Sequence, residues 1–261
     1  MLGHNMFKEI YDYRTMIVSL TKRDLIGRYK RSVLGFLWSF IDPLIQLAVY
    51  TFLFKIILPT NIPFFHICLF VALVPWLMIS SCLTGGCMCV AGQQDMIKKI
   101  YFPREVLPIA FVSAQFINML LSFIIVFVVL GASGYGFCGK ALLLFPVVVI
   151  IEYILALGMT LFFSAVTVYF RDMQQILGAL SLILMYASPI IYTLELVPEK
   201  YRPFYMINPI TRVIVAYRDI FYYKQVPEFS NIILGLLESI IVLIIGLVVF
   251  RKLNKHFAEE L

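Results

Sequence analysis

Charge is scarce in this chain of 261 residues, and it is unevenly distributed. Lys, Arg, Asp and Glu make up 14% of the residues, and none of them occurs from Ile56 to Gln94 or from Val106 to Gly139. A helix needs about 20 apolar residues to cross the hydrocarbon core of a bilayer, and both stretches are longer than that. Hydrophobic residues make up 62% of the chain, against about 45–50% in soluble domains. We therefore predict an all-α polytopic membrane protein.

Glycine-rich phosphate-binding motifs are also missing. G-x-x-x-x-G-K-[ST] does not occur, and no G-x-G-x-x-G follows a predicted strand. The segments between the apolar runs are too short for an independent soluble core. Active transport by this chain would therefore draw on an ion gradient or on another polypeptide. The five cysteines lie in or beside apolar runs without zinc-ribbon spacing, so we expect buried thiols and no metal site.

Six apolar runs predict six membrane spans. Their approximate bounds are Val33–Leu58, Phe65–Ala91, Val106–Leu130, Ala141–Tyr169, Met173–Tyr192 and Ile232–Phe250. The gaps on one side hold most of the basic residues, whereas the opposite short loops hold only Lys140. Basic loops stay in the cytoplasm, so both termini are predicted to be cytoplasmic. The net charge of +6 then reflects topology, and we expect no nucleic-acid partner.

These spans divide the chain into three parts. Residues 1–32 form a cytoplasmic N-terminal interface segment, residues 33–250 a six-span transmembrane domain, and residues 251–261 a cytoplasmic tail. Because the first apolar run begins only after a charged segment, we expect no cleavable signal.

The N-terminal segment predicts amphipathic helices on the membrane surface. Apolar residues recur at helical spacing from Ile10 to Leu20, with charges on the opposite face. Thr21 and Asp24 resemble a capping box that restarts a helix at Lys22. A plain basic anchor without a partner is the alternative.

The cytoplasmic loop Gln93–Glu105 combines apolar, aromatic and basic residues. Its spacing places Ile97, Ile100 and Tyr101 on one face of a short helix, which ends before Pro103 because the residue preceding a proline avoids the α region. Exposed apolar residues on such a loop indicate a partner surface. Alternatively, Tyr101 and its neighbour belong to an aromatic belt at the membrane interface.

The outer loop before the last span predicts another amphipathic helix. Asn208 and Pro209 are typical of an N-cap followed by proline at the first helical position. Apolar residues recur at helical spacing from Ile210 to Phe221. The opposite face carries Arg212, Arg218 and Asp219. We predict a helix that dips into the outer leaflet, with a simple surface helix as the alternative.

A few ionisable residues fall inside or near the ends of the spans: Asp42, Lys55, Glu152 and Glu238. Such groups are functional candidates because their burial costs free energy. A proton-coupled carrier would require Glu152 or Glu238 to be essential, but the four residues form no obvious relay. An embedded enzyme would need a convergent polar cluster, which the pattern does not indicate. Small residues on spans four and six predict close helix packing; they are Ala156, Thr160, Ser164, Gly235 and Ser239.

Five motifs, in order, resemble those of ABC-2 type permeases that export polysaccharides. IKKIYFPREVLPIA at 97–110 resembles the cytoplasmic loop of that family, and RDLIGRYKRSVLGFLW at 23–38 resembles its entry into span one. The other three are VYFRDM at 168–173, SPIIY at 188–192 and INPIT at 207–211. The resemblance covers nearly the whole chain, but the motifs do not separate the substrates of the family.

The resemblance implies a half-transporter in the plasma (inner) membrane. Two copies of the chain would form the pathway, and two separate ATPase subunits, which use ATP and Mg, would drive it. This chain would then be a transport subunit, not an enzyme, with no bound cofactor. The implied substrate is a polysaccharide on a polyprenyl diphosphate lipid, O-antigen first, with wall teichoic acid or capsule as alternatives. Membrane lipids are further partners.

The resemblance also implies roles for particular residues. The ATPase-coupling loop would comprise Ile97, Lys98, Lys99, Ile100, Tyr101, Phe102, Pro103, Arg104 and Glu105. The outer helix would re-enter the membrane and includes Asn208, Pro209, Arg212 and Tyr217. From charge and position we add a site for the lipid diphosphate at Arg23, Arg28, Lys30 and Arg31. Alternatively, these cations only set topology and hold anionic headgroups.

Overall fold

The computed structural model describes residues 8–27, 37–54 and 62–260, and no strand occurs in these ranges. The helices are α1 (Arg14–Gly27), α2 (Trp38–Phe52), α3 (Phe65–Thr84), α4 (Gln94–Lys99), α5 (Val106–Ala132), α6 (Gly139–Leu142), α7 (Phe145–Tyr169), α8 (Met173–Ala187), α9 (Arg202–Met206), α10 (Pro209–Phe221), α11 (Phe229–Asn254) and α12 (Phe257–Glu260). The predicted all-α class is confirmed for this part of the chain.

Four helical stretches are long and apolar enough to cross a membrane. They are Phe65–Met88, Val106–Ala132, Gly139–Tyr169 and Phe229–Asn254, and they coincide with predicted spans two, three, four and six. The apolar helices α2 and α8 have 15 residues each, fewer than the ~20 that cross a bilayer. Part of predicted span one, including Lys55, lies outside the described residues.

Predicted span five is too long at its C-terminal end. The spacing predicts Met173–Tyr192, but α8 ends at Ala187 and Ser188 has extended backbone angles (φ −117°, ψ 149°). Ser188 precedes Pro189, whose ring disfavours the α region for the residue before it. The SPIIY motif therefore leaves the helix and forms a separate segment between α8 and α9.

Helix α3 forms the centre of the bundle. Within its most apolar 18 residues 78% are buried, against 17% for α11, and α3 contacts α2, α5, α7, α8 and α10. Uncharged side chains on every face suit α3 to this position, because each of its faces meets another helix. Helix α11 is as apolar, but most of its residues face outward, where hydrocarbon is the compatible solvent.

Helices α7 and α11 touch through glycines. A Cβ atom on Gly158 would lie 2.6 Å from the Leu243 backbone nitrogen, and one on Gly246 would overlap the Gly158 carbonyl oxygen. Small residues permit such close backbone approach in membranes. The small residues predicted on spans four and six are buried, but the closest contact uses this other glycine pair.

Helix α1 packs against α5 without the predicted interruption. The Thr21 hydroxyl lies within the helix and donates to the carbonyl oxygens of Ile17 (2.8 Å) and Ala110 (3.3 Å). A capping box at Thr21 is therefore wrong, because back-bonding to residue i−4 satisfies the hydroxyl inside a continuous helix.

The glycine-rich sequence GYGFCG at 134–139 joins α5 to α6. Gly134 and Gly136 have φ angles of 67° and 78°, a conformation that glycine adopts at little cost. This segment has the spacing G-x-G-x-x-G, but it follows a helix instead of a strand and forms a turn.

Candidate functional site

The loop Gln94–Glu105 is half buried and half exposed. Helix α4 ends at Lys99, and Ile100 is extended. Ile97 and Phe102 are buried in an apolar cluster with Phe250 and Phe257, whereas Tyr101 is 94% exposed. The prediction that Ile97, Ile100 and Tyr101 share one helix face is therefore wrong.

The outward part of this loop is a continuous stretch of four residues. Lys98, Lys99, Ile100 and Tyr101 are all exposed. Neighbouring Phe102 is 4% exposed. We call residues 98–101 the KKIY surface. Two cations beside two large apolar side chains offer both charge and hydrophobic area to a partner.

Specific contacts fix this loop to both ends of the chain. The Arg104 guanidinium donates to the backbone carbonyl and side-chain oxygen of Asn254 at the end of α11, and it lies 5.8 Å from the centre of the Phe257 ring. The Tyr13 hydroxyl donates to the Tyr101 carbonyl at 3.4 Å. A displacement of the loop would therefore move α11 and the N-terminal segment as well.

Only one of the predicted diphosphate cations lies in the described residues. Arg23 donates to Asp24 Oδ1 at 3.2 Å and to Gln93 Oε1 at 3.3 Å. Arg28, Lys30 and Arg31 lie outside the described ranges. Arg23 borders a cavity of about 470 Å³ between α1, α5 and the segment 85–93 that follows α3.

The outer helix α10 begins as predicted. The Asn208 side chain accepts a hydrogen bond from the Ile210 amide at 3.0 Å, and Pro209 occupies the first turn. The Asn208 amide also donates to the Ser188 hydroxyl at 2.9 Å. The INPIT and SPIIY motifs therefore meet, although 20 residues separate these partners.

Both faces of α10 are buried, including the face with the polar residues. The Arg218 guanidinium is 2% exposed and donates to the carbonyls of Pro189, Ile190 and Tyr192 at 2.6–2.8 Å. These carbonyls belong to the segment that leaves α8. The polar face of α10 thus binds protein, because the irregular SPIIY backbone needs donors that a membrane cannot supply.

Two carboxylates in the spans also hold α10. The Tyr217 hydroxyl donates to Glu152 on α7 at 2.5 Å, inside the bundle where both residues are fully buried. Arg212 pairs with Glu238 on α11 at 2.9 Å and exchanges hydrogen bonds with Asn231. The two carboxylates lie in separate contacts, so the structure does not bring them together as a proton relay.

The aromatic residue after α10 ties the outer segment to the entry of α3. The Tyr222 hydroxyl donates to the Pro63 carbonyl at 2.7 Å. Desolvation by burial raises the pKa of Tyr222 to about 12. The hydroxyl is neutral near pH 7, as it would be at the ordinary tyrosine pKa of about 10, and burial widens that margin.

Sequence reasoning missed a polar cavity between α2, α3 and α5. Its volume is about 350 Å³. Its polar lining comprises Asp42, Gln46, Ser81, Gln115, Asn118 and Ser122. The last three recur at helical spacing on the uncharged helix α5, a pattern that the sequence does display. Among the described residues, no group of three His, Cys, Asp or Glu could hold a metal ion.

The described helices define a multi-pass membrane protein whose exposed loop and outer helix both contact the spans. Residues 15–222 match the family model described as ABC-2 type transporter, and the chain belongs to that family.

The chain is similar to several curated relatives along nearly its full length. It is 32% identical over 258 residues to the O-antigen export system permease protein RfbA of Myxococcus xanthus, covering 98% of this chain and 99% of the relative. It is 30% identical over 246 residues to a protein of the same name from Klebsiella pneumoniae (94% and 95%). It is 23% identical over 244 residues to the polysialic acid transport protein KpsM of Escherichia coli (91% and 93%).

Proposed function

We propose that this chain is the permease subunit of an ATP-driven exporter that moves a lipid-linked polysaccharide, O-antigen first, across the plasma membrane. The observation that carries the proposal is the 32% identity to an O-antigen export permease over 98% of the chain. Identity to the polysialic acid transport protein is lower, at 23%. Capsule or wall teichoic acid export is therefore the alternative.

We further propose that the KKIY surface is the contact with a separate ATPase subunit. Its exposure leaves Tyr101 and Ile100 free to enter a groove on that partner, while Lys98 and Lys99 pair with acidic groups around it. The remaining residues of the loop then support this surface, since they anchor the loop to the ends of α1 and α11. They are Ile97, Phe102, Pro103, Arg104 and Glu105. Movement of the ATPase would pass through Arg104 and Asn254 into the last span.

The assembly proposed is two copies of this chain with two ATPase subunits, with both termini in the cytoplasm. Residues 1–32 form the interface segment, residues 33–250 the six-span domain and residues 251–261 the tail. In this arrangement α10 is a re-entrant outer element, held by Asn208, Pro209, Arg212 and Tyr217. Its buried polar bonds support a fixed outer structure at membrane depth.

The basic residues of the interface segment are proposed to bind the lipid diphosphate. Arg23 borders the cavity next to α5, and Arg28, Lys30 and Arg31 follow it in the sequence. Arg28→Gln and Arg31→Gln, made singly, leave other basic residues to set topology. Lipid-linked glycan should accumulate inside such cells, and normal export in both variants would leave these residues as topology signals.

The proposed function is tested with purified protein in lipid vesicles. The chain alone should hydrolyse no ATP, and its complex with the co-expressed ATPase should hydrolyse ATP faster when lipid-linked glycan is added. Deletion of the gene should trap lipid-linked glycan in the cytoplasmic leaflet. Robust ATP turnover by the lone chain, or normal surface glycan after deletion, would contradict the proposal.

A further inference from the structure

The polar cavity between α2, α3 and α5 is lined by two of the four helical stretches that are long and apolar enough to cross a membrane. Helix α5 supplies Gln115, Asn118 and Ser122 to its wall, and these residues recur at i, i+3 and i+7. They therefore form one stripe on a helix whose other faces are almost entirely apolar. The Ser122 hydroxyl donates to the Asn118 backbone carbonyl at 3.0 Å, and the polar side chains of the stripe also line the cavity. A concave site with a few convergent polar groups is a candidate ligand site.

The lining determines which chemistry the cavity accepts. Gln46, Gln115 and Asn118 carry amides, and Ser81 and Ser122 carry hydroxyls, so each can both donate and accept hydrogen bonds. Trp38 adds an aromatic ring face. Hydroxyl groups of a sugar have the same dual character, and the cavity volume of about 350 Å³ falls in the range of small-ligand sites, about 300–1,000 Å³.

The charge of the cavity wall distinguishes between neutral and acidic sugars. Among the described residues that line the cavity, Asp42 is the only ionisable one. Asp42 is exposed at the rim of the cavity, and its carboxylate repels nearby anions. The wall therefore favours an uncharged sugar over a uronic or sialic acid.

The cavity adjoins a second cavity. Gln115 lines both this cavity and the one bordered by Arg23. The second cavity has a volume of about 470 Å³ and lies between α1, α5 and the segment 85–93 that follows α3. The α5 stripe therefore continues from the membrane interior towards the interface helix, where a cation is available for an anionic lipid end.

We infer that the cavity lined by Asp42, Gln115 and Asn118 binds uncharged, hydroxyl-rich sugar units of the exported glycan and disfavours acidic ones. This inference rests on the proposed function and adds a substrate class to it. According to this inference, residues on α2 and α5 of this chain distinguish neutral glycan from acidic glycan.

The test uses the complete complex with its ATPase in lipid vesicles. A photoreactive phenylalanine derivative replaces Ile45, which lines the cavity at its exposed rim. The matched control carries it at Ile124, which is equally exposed (52% against 51%) but does not line the cavity. The probes are two lipid-linked oligosaccharides of equal length, one of neutral hexoses and one containing uronic acids.

Labelling by the neutral probe is expected at position 45 and not at position 124. The acidic probe should label position 45 about tenfold less, which corresponds to about 1.4 kcal/mol of repulsion. Asp42→Asn should reduce that difference, because it keeps the shape of the side chain and removes its charge. Size-exclusion chromatography confirms that each variant still assembles with the ATPase.

Two results would overturn the inference: equal labelling from both positions, or equal labelling of position 45 by both probes while Asp42 is intact. If the unsubstituted complex exports glycan and either result is found, only the sugar site is wrong. If the unsubstituted complex neither exports glycan nor couples it to ATP hydrolysis, the proposed function itself fails.

Discussion

At the scale of single residues, neighbours in sequence have opposite environments. Tyr101 lies in solvent, whereas Phe102 is buried among Phe250, Phe257 and the residues of α5. Helix α4 has ended before these residues, since Ile100 is extended, so helical spacing no longer sets which side chain faces the core. The two neighbouring aromatic residues thus have different roles: Tyr101 is available to a partner, and Phe102 packs in the core.

Replacing these two aromatic residues singly should separate the roles. Tyr101→Ala should reduce export and ATPase binding without lowering the melting temperature, because its side chain makes few internal contacts. Phe102→Ala should lower the melting temperature as well, since removing a buried Phe costs about 3–5 kcal/mol. Thermal unfolding and co-purification with the ATPase give the two readouts. Unchanged export by Tyr101→Ala would favour the aromatic-belt interpretation of this loop.

Glu152 is the residue on which an ion-driven mechanism would depend. Its contact with Tyr217 ties α10 to α7, and a neutral amide at this position can still accept that hydrogen bond. Glu152→Gln should therefore retain export near the unsubstituted level, whereas Tyr217→Phe, which removes the donor, should lower stability by about 1–3 kcal/mol. Export is measured in cells that lack the native gene. Loss of export by Glu152→Gln in a folded protein would support proton coupling instead.

At the scale of helices, the contact between α7 and α11 depends on the absence of side chains. Gly158 lies against the backbone of residues 242–243, so even a methyl group requires the helices to separate. Arg212 and Glu238 join α10 to the same helix, α11. The last span is thus fixed to α7 along its length and to the outer helix near its start.

Gly158→Ala should destabilise the protein, and Gly178→Ala provides the matched control. Both glycines lie inside helices, but a Cβ atom on Gly178 would meet nothing within 4 Å. Gly178→Ala should be neutral or stabilising by up to about 1 kcal/mol, because alanine favours the helix. Melting temperatures in detergent provide the comparison. Equal melting temperatures for the two variants would contradict the tight contact.

At the scale of the molecule, the described helices leave large apolar surfaces uncovered. Large apolar side chains are exposed on α2, α5, α8 and α11, where lipid or a second copy would cover them. The KKIY surface adds a polar and aromatic contact at one end of the bundle. These surfaces are compatible with the proposed assembly of two permease chains and two ATPase subunits.

Native mass spectrometry of the complex should reveal two copies of this 30.0-kDa chain with two ATPase subunits. The reason is that one bundle of this size encloses only small cavities, whereas a polysaccharide requires a continuous channel. The Tyr101→Ala protein should lose the ATPase mass and keep the pair of permease chains. A single permease copy in an export-competent complex would contradict this stoichiometry.

The sequence by itself determined the class of the protein, four of its spans and the start of α10. These features depend on local physical chemistry: helix length against bilayer thickness and the cap at Asn208. The motifs from Arg23 to Thr211 further indicated the family. Local rules also explain the errors, since Thr21 matched a cap that the continuous helix does not need.

Only the tertiary structure decided which residues meet. Glu152 and Tyr217, Arg212 and Glu238, and the two glycines of α7 and α11 are far apart in sequence. In a soluble helix the apolar stripe reveals the inward face, but in a membrane the lipid-facing and core-facing sides are both apolar. The rotation of each helix was therefore hidden in the sequence. The polar residues of α5 do indicate which of its faces points inward. This could be recognised only from the structure, where α2 and α3 pack beside that face.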